Sequence, residues 1–389
     1  MPSWGMDQQP FLIAGGGIAG LAAGLALAKN RRSSRIFEQA PAFEEVGAGL
    51  QMSPNGVSAL RWLGAWEAIE NSCVIPTELH VCNGLSGAIL QRVRFGKSFE
   101  QRFGAPYRVA HRADLLNALL ATARASGCIE LNTGAAVTAA ASTAGGASLT
   151  LNNGRTANGP AVIAADGIES RLRQQIWPAS RPVFRGQAIY RALIPFEHVP
   201  PAIAADCVTL WLYPGGHVVH YAVSNWRRFN IVAVLSSRRR DASAAADVKY
   251  AFADATDDLA ALLAAPSGWS QWIAADIEPL ATWVSGNIVL TGDAAHATLP
   301  YLAQGAVMSL EDACVLGSCI SIAPVNEAFE SYQAARLLRT QRIQSESRRL
   351  AKTYGARGTL AFIRNRVMSL MGKNFTLNRY AWIYDWQTP

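Results

Sequence analysis

The stretch Gly15-Gly16-Gly17-Ile18-Ala19-Gly20 decides the fold of this chain. It follows the apolar run 11–14, which predicts a buried strand, and it leads into an Ala- and Leu-rich helical pattern. In such a turn Gly15 permits the tight bend, Gly17 lets the backbone approach a pyrophosphate, and Gly20 lets the helix pack closely on the strand. The N–H groups at the start of the helix attract phosphates. The stretch therefore predicts a dinucleotide-binding strand–turn–helix unit.

An acidic residue strengthens this prediction. The segment Arg35-Ile36-Phe37-Glu38 predicts the second parallel strand, and it ends in an acid. This acid lies about 20 residues beyond the glycines, where a carboxylate accepts hydrogen bonds from an adenosine ribose. Glu38 and the adjacent Gln39 are therefore candidate cofactor contacts. The alternative interpretation is that the glycines serve chain packing alone.

Composition limits the classes of function. The 389 residues suffice for two domains, and a hydrophobic fraction of 50% supports a large core. The 35 basic residues exceed the 28 acidic ones but are scattered, and no basic block interleaves with aromatic residues. We therefore expect no nucleic-acid partner, whereas the positive net charge favours anionic ligands.

The cysteines and the apolar N-terminal run bear on location. None of the six cysteines forms a metal-type pair or a disulfide framework, so we expect no metal site and a cytoplasmic protein. Residues 11–28 are long and apolar enough to mimic a membrane span, but they are rich in glycine and follow no basic segment. We expect no membrane span.

The pattern of strands and helices predicts an α/β protein with a discontinuous dinucleotide-binding domain. Hairpin and alternating strand patterns interrupt that domain twice. The dinucleotide-binding domain is expected at residues 8–75, 104–180 and 282–325. The β-rich substrate domain is expected at residues 76–103 and 181–281, and a helical C-terminal region at residues 326–389.

Two further motifs follow predicted buried strands. Asp166 opens the DGxxSxxR pattern of residues 166–173, and Asp293 belongs to the Gly-Asp pair that follows strand 287–290. Ligands bind at the carboxyl ends of strands in open parallel sheets. Both acids are therefore candidate cofactor contacts, although Asp293 taken alone is also typical of an ordinary helix N-cap.

The three motifs in this order resemble the single-component FAD-dependent aromatic hydroxylases, the family of para-hydroxybenzoate hydroxylase, over residues 11–313. The similarity is closest to salicylate hydroxylase, 3-hydroxybenzoate 6-hydroxylase and 6-hydroxynicotinate 3-monooxygenase. It implies a Rossmann-type FAD-binding domain with an inserted mixed β-sheet substrate domain and a helical C-terminus. It also implies non-covalent FAD, and NADH or NADPH as co-substrate without a second GxGxxG motif.

The resemblance further implies the reaction and the cofactor contacts. A small hydroxylated aromatic or heteroaromatic acid would be hydroxylated with O2 through a flavin C4a-hydroperoxide, with decarboxylation left open. Segment 46–50 would pass beside the flavin ring. The implied FAD contacts are Gly15, Gly17, Ala19, Gly20, Glu38, Gln39, Gly47, Ala48, Gly49, Arg112, Asp166, Asp293, Gly305, Ala306 and Val307, the last through its backbone only.

One strand supplies the catalytic candidates. Side chains alternate along a strand, so His217 and Tyr221 share a face while His220 points away. In the family, a His and a Tyr at this spacing line the substrate pocket, which implies catalytic roles for His217 and Tyr221. An imidazole titrates near neutral pH and can take a phenolic proton. The alternative is that both residues only pack.

Three further residues are substrate candidates, and broader alternatives stay open. Pro300 and Tyr301 are expected near the flavin, and Arg191 is expected to bind a substrate carboxylate unless it faces outward. The same fold would also serve a larger polycyclic or quinone-like substrate. A flavoprotein oxidase or regulatory protein without productive hydroxylation is the third alternative. The basic stretch 348–373 would contact a membrane surface or the second subunit of a homodimer, or cover the flavin domain.

Overall fold

The computed structural model describes residues 9–43, 48–203, 206–237, 244–372 and 375–389, and side chains from residue 248 onward in the fourth of these ranges. The strands in chain order are β1 (Phe11–Ala14), β2 (Ser34–Phe37), β3 (Gly49–Met52), β4 (Glu78–Asn83), β5 (Ile89–Arg94), β6 (Arg108–His111), β7 (Ile129–Asn132), β8 (Val137–Thr143), β9 (Gly146–Leu151), β10 (Thr156–Gly159), β11 (Val162–Ala164), β12 (Val183–Pro195), β13 (Cys207–Tyr213), β14 (Gly216–Val223), β15 (Arg228–Ser236), β16 (Ser270–Asp276), β17 (Val284–Ser285) and β18 (Ile288–Leu290).

The α-helices surround these strands and make up the C-terminal region. In chain order they are α1 (Ile18–Lys29), α2 (Pro54–Leu63), α3 (Trp66–Glu70), α4 (Lys97–Phe103), α5 (Arg112–Ala125), α6 (Arg171–Ile176), α7 (Ala244–Ala251), α8 (Asp257–Ala264), α9 (Asp293–His296), α10 (Gly305–Ile322), α11 (Val325–Tyr354), α12 (Gly358–Leu370) and α13 (Phe375–Tyr384).

A six-stranded sheet in the order β17-β18-β11-β1-β2-β7 forms the dinucleotide-binding half. All its pairs are parallel except that of β17 with β18. The carboxyl ends of β1, β11 and β18 therefore meet at one edge of the sheet. The glycine turn, the Asp166 loop and the Asp293 loop follow these three strands, so three segments distant in sequence become neighbours.

A seven-stranded mixed sheet in the order β16-β12-β15-β14-β13-β4-β5 forms the second half. It joins the hairpin of β4 and β5 to strands from a segment more than a hundred residues later, through the parallel pair of β4 with β13. The predicted α/β class with an inserted mixed sheet is confirmed. The domain bounds given above stay a prediction.

Two short sheets complete the architecture. The pair β3–β6 is antiparallel and places Gly49 opposite His111, and the sheet β10-β9-β8 lies beside the six-stranded sheet. Residues 54–70 form two helices rather than one, because Gly64 ends α2 with a left-handed φ of 73°. The edge strand β16 was not recognised in the sequence.

Helix α10 is the one described helix with the length and apolar composition of a membrane span. Its window is 67% buried, and it packs against α1, α2 and α11. Burial in the core explains its apolar composition. Cys314 is buried on this helix and Cys319 is half-buried, and burial raises the pKa of both thiols.

Candidate active site

The glycine turn after β1 is fixed by close backbone contacts. A Cβ on Gly15, whose φ is 102°, would lie 2.3 Å from the Ala165 carbonyl oxygen, and a Cβ on Gly20 would lie 1.9 Å from that of Gly15. Around Gly17 the space is open for at least 4 Å, and this residue begins α1 without a side-chain cap. The N–H groups at the start of α1 therefore lie beside an open space, as a phosphate site requires.

Glu38 has a backbone role that the sequence did not reveal. One carboxylate oxygen accepts a hydrogen bond from the Gly16 N–H at 2.7 Å, and the other accepts from the Ala40 N–H at 2.8 Å. The carboxylate thus ties the end of β2 to the glycine turn. Its remaining lone pairs are available to a ribose, while Gln39 is exposed.

The DGxxSxxR motif folds its own loop. The Asp166 carboxylate accepts hydrogen bonds from the Ser170 hydroxyl at 2.6 Å and from the Leu172 N–H at 3.2 Å. The buried Arg173 donates to the Ala294 carbonyl at 3.1 Å, which joins this loop to α9. The motif therefore sets the spacing between the loops after β11 and β18.

A buried ionic network holds the loop that contains Asp293. The Asp312 carboxylate accepts from the Gly292 N–H at 3.0 Å, and it contacts His296 at 2.5 Å and Arg336 at 2.8 Å. Burial alone would raise the pKa of Asp312, but the adjacent His296 and Arg336 outweigh burial and lower it. Sequence reasoning missed Asp312 and Arg336, because both lie inside ordinary helical patterns.

The loops and the seven-stranded sheet enclose one cavity of about 380 Å³, here called the main cavity. Eight of the predicted cofactor residues line it: Gly17, Ala19, Ala48, Gly49, Arg112, Asp293, Gly305 and Ala306. Four predicted catalytic or substrate residues line it too: Arg191, His217, Tyr221 and Pro300. Leu50, from the segment expected beside the flavin ring, lines it as well, whereas sequence reasoning missed other lining residues, among them Gln51, Ile189, Val232, Trp272 and Ser309.

Some predicted site residues do not line the main cavity. Five of them support the rim of the cavity from behind or lie beside it: Gly15, Gly20, Glu38, Gln39 and Asp166. The Val307 side chain is buried against Gly56, and Tyr301 lies behind His217. Gly47 is outside the described residues.

Strand β14 has the predicted alternation. His217, Val219 and Tyr221 face the main cavity. His220 points to the other side of the sheet, where its Nε2 accepts a hydrogen bond from the Trp211 indole at 2.9 Å. Two histidines three residues apart on one strand therefore occupy different environments.

The His217 ring packs against two tyrosine rings, one of which belongs to the C-terminal region. Its ring centroid lies 5.1 Å from that of Tyr301 and 5.4 Å from that of Tyr354, at the end of α11. Burial, and then the charge of Arg364, lower the pKa of His217 to about 3. The expectation that this imidazole titrates near neutral pH is therefore wrong for the ligand-free chain, because burial disfavours the charged form.

Tyr221 and Arg191 line the main cavity together with His217. Burial raises the pKa of Tyr221, and the nearby Arg191 charge and a hydrogen bond with Gln51 only partly offset that effect. The Tyr107 hydroxyl donates to the Gln51 side-chain oxygen at 2.6 Å, which orients the amide. The Arg191 guanidinium lies 5.5 Å from the Trp272 ring centroid, so a cation and an aromatic plane face the cavity together.

Comparison with known proteins identifies the family. A sequence model of the FAD binding domain matches residues 8–347. The chain belongs to the FAD binding domain family. Its glycine turn, its lining residues Asp293 and Arg112, and the helix N-termini of α1 and α10, which lack side-chain caps, fit an FAD pyrophosphate and ribityl chain.

Characterised relatives cover nearly the whole chain. A 3-hydroxybenzoate 6-hydroxylase of Polaromonas naphthalenivorans is 34% identical, over 97% of this chain and 96% of that protein. The 3-amino-4-hydroxybenzoate 2-monooxygenase PtnB3 of Streptomyces platensis is 32% identical, over 96% of this chain and 95% of that protein. The predicted family, the FAD cofactor and the class of FAD-dependent aromatic hydroxylases are thereby confirmed.

Solved structures share the fold. Klebsiella pneumoniae HpxO complexed with FAD and uric acid matches with a TM-score of 0.87 and 24% identity, over 96% of each chain. A salicylate hydroxylase substrate complex matches with a TM-score of 0.83 and 24% identity, over 98% of this chain and 96% of that chain. The architecture is therefore the common one of these flavoproteins.

Proposed function

We propose that this chain hydroxylates a small hydroxylated benzoate-type acid, using FAD, O2 and NADH or NADPH. The observation that carries the proposal is the main cavity itself. Its cofactor side and the face of β14 that bears His217 and Tyr221 line the same cavity. The names of the two relatives, 3-hydroxybenzoate 6-hydroxylase and 3-amino-4-hydroxybenzoate 2-monooxygenase, describe hydroxylation of hydroxybenzoates.

The size of the main cavity supports a small substrate. The flavin ring would occupy part of the cavity of about 380 Å³, which favours a small aromatic acid over a polycyclic substrate. This disfavours the alternative of a larger or quinone-like substrate. A homodimer in a cytoplasmic setting stays part of the proposal for assembly and location.

The side chains that line the main cavity have distinct roles in this proposal. The bound flavin would supply activated oxygen for transfer to the ring. Arg191 would pair with the substrate carboxylate and Trp272 would stack on the ring, since their charge and aromatic plane face the same space. Tyr221 would donate a hydrogen bond, because its raised pKa keeps the hydroxyl protonated.

His217 would act on the ring hydroxyl. A neutral imidazole accepts a hydrogen bond from a phenol, and a nearby substrate anion would raise its pKa from the ligand-free value of about 3. Removal of the phenolic proton makes the ring electron-rich and so more reactive towards an electrophilic oxygen. Pro300 and the half-buried ring of Tyr301 would exclude water at that end of the cavity.

The test compares chemistry with cofactor retention. In His217→Ala and Tyr221→Phe, product formation from 3-hydroxybenzoate and related phenolic acids should fall about 100-fold or more, as for loss of a general acid–base group. FAD content should stay as in the parent protein, because neither residue belongs to the glycine turn or to α10. His220→Gln, on the opposite face of β14, is the matched control.

Two outcomes contradict this proposal. If NAD(P)H oxidation yields only hydrogen peroxide with every phenolic acid, the chain is an oxidase-like or regulatory flavoprotein. If His217→Ala loses FAD and product formation to the same extent, His217 is part of the framework rather than the chemistry.

A further inference from the structure

A second cavity, here called the arginine cavity, has no part in the reaction described above. It has a volume of about 390 Å³ and is lined by His111, Leu193, Ser224, Arg227 and Arg228. Two of these five residues are arginines on adjacent positions at the turn between β14 and β15. The cavity therefore presents positive charge beside an open space.

The arginine cavity adjoins the main cavity on the same face of the seven-stranded sheet. Arg191 lines the main cavity and Leu193 lines the arginine cavity, and residues two apart on a strand point to one face about 7 Å from each other. The β3–β6 pair runs between the two spaces. Its Gly49 lines the main cavity, and the residue paired with it, His111, lines the arginine cavity.

The turn that carries the arginines has an unusual backbone. Ser224, Asn225 and Trp226 have φ values of 52°, 51° and 63°, three successive non-glycine residues in the left-handed region. Each such residue costs on the order of 1–2 kcal/mol. Tertiary contacts hold them there: the Ser224 hydroxyl donates to Asp114 at 2.8 Å, and Trp226 packs edge-on against Phe196. Strain maintained in this way is typical of binding sites.

The Arg227 guanidinium is oriented by the turn, and within the described part of the chain no carboxylate neutralises it or that of Arg228. The Arg227 Nε donates to the Ser224 carbonyl at 3.0 Å, which fixes its direction. Among the described residues, neither Arg227 nor Arg228 forms an ion pair with a carboxylate, whereas Arg185 and Arg348 both pair with Asp276. Arginines that lack an acidic partner next to a cavity suit a phosphate, which they bind through paired N–H groups.

We propose that the arginine cavity binds the pyrophosphate of the NAD(P)H co-substrate, a role that rests on the proposed function. The chain has no second GxGxxG motif that would hold a second dinucleotide. The reductant must nevertheless bring its nicotinamide to the flavin in the main cavity while its two phosphates lie nearby. The arginine cavity meets both needs, because it is cationic and adjoins the main cavity across a single pair of strands.

The test measures binding as well as turnover on the FAD-loaded protein. ADP-ribose, which carries the pyrophosphate but no nicotinamide, is titrated by calorimetry, and KM for NADH and NADPH is measured in parallel. In the double variant Arg227→Gln with Arg228→Gln, ADP-ribose should bind at least tenfold more weakly and KM should rise at least tenfold. FAD content and binding of the aromatic acid should not change.

Two control variants separate this site from general electrostatics and from damage to the turn. Arg155→Gln with Arg366→Gln removes two exposed charges elsewhere and should change ADP-ribose affinity less than twofold. Arg228→Gln alone leaves the Arg227 contact with the turn intact and should still weaken ADP-ribose binding several-fold. Arg228→Lys should restore part of the loss.

Three results would overturn the proposal. The first is an unchanged ADP-ribose affinity in the double variant. The second is that inorganic pyrophosphate binds at Arg227 and Arg228 without competing with ADP-ribose or NAD(P)H. That result would identify a site for small inorganic anions. The third is normal hydroxylation with an unchanged KM for NAD(P)H. If the parent protein does not hydroxylate aromatic acids but the double variant still loses ADP-ribose binding, only the proposed function is contradicted.

Discussion

The loops at the carboxyl ends of β1, β11 and β18 and the cavity-facing side of β12, β14 and β15 are fixed in different ways. The loops are fixed by backbone: Gly15 and Gly20 leave no room for a Cβ, and Asp312 bonds the main chain of Gly292. The sheet face is fixed by its ladder of strand hydrogen bonds, which places Cα atoms but leaves the side chains free to differ.

This difference indicates that the loops determine cofactor binding and that the sheet face determines substrate specificity. At Gly15 and Gly20 the loops accept no larger residue, because a Cβ there would lie less than 3 Å from a backbone oxygen. On the sheet face, a different side chain at Arg191 or Trp272 changes the shape and charge of the main cavity without moving a strand. Members of one family can therefore share a cofactor and differ in substrate.

The largest effect is expected in the loop that contains Asp293, because the backbone of this loop is bonded to the buried Asp312 carboxylate. Asp312→Ala leaves the buried His296 without its anion and Arg336 with Glu311 alone, so the free energy of unfolding should fall by about 3 kcal/mol. Urea unfolding with saturating FAD measures this change. Asp312→Asn keeps an acceptor for the Gly292 N–H and should lose less. A change below 1 kcal/mol in Asp312→Ala would show that the network does not hold the loop.

The second prediction compares two glycines of one turn. Gly20→Ala places a Cβ 1.9 Å from a carbonyl oxygen and should cost about 1–3 kcal/mol of stability, with or without FAD. Gly17→Ala meets no protein atom within 4 Å, so the apoprotein should unfold as the parent does while FAD binds about tenfold more weakly. Thermal unfolding of the apoprotein and fluorescence titration with FAD separate the two. Equal stability losses would contradict this distinction.

The third prediction concerns two histidines of β14, of which His217 lies on the cavity-facing side and His220 on the opposite side. Burial lowers the pKa of His217 and of His220 to about 3, below the ordinary value of 6.5. Between these two pH values the unfolded chain binds protons that the folded chain does not. Stability therefore falls as the pH falls from about 6.5 to 3, by up to about 1.4 kcal/mol per pH unit for each histidine.

Single variants sharpen this prediction. His220→Gln and His217→Gln should each reduce the pH dependence of unfolding between about pH 6.5 and 5, as measured in urea. A bound aromatic acid should reduce the dependence due to His217 only, because its negative charge raises the pKa of the adjacent imidazole. An equal effect of the acid in His217→Gln and in the parent protein would place the anion elsewhere.

Much of the fold could be predicted because its signals are local. The turn from Gly15 to Gly20 follows a four-residue apolar strand, and the alternation from His217 to Tyr221 matches β14. Strand β16 escaped prediction because an edge strand with polar and exposed residues lacks a clean alternation, and Trp272 was missed with it. Gln51 and Arg364 were missed because only long-range contacts bring them to Tyr221 and His217.

The sequence by itself determined the dinucleotide-binding unit, the α/β class and the face shared by His217 and Tyr221. These follow from the φ freedom of glycine and from the two-residue period of a strand, both of which are properties of neighbouring residues. Only the tertiary structure decided that His217 is neutral, that Asp166 is used within its own loop, and that two cavities adjoin across β3 and β6. Those outcomes depend on burial and on contacts between distant segments, and no local pattern encodes either.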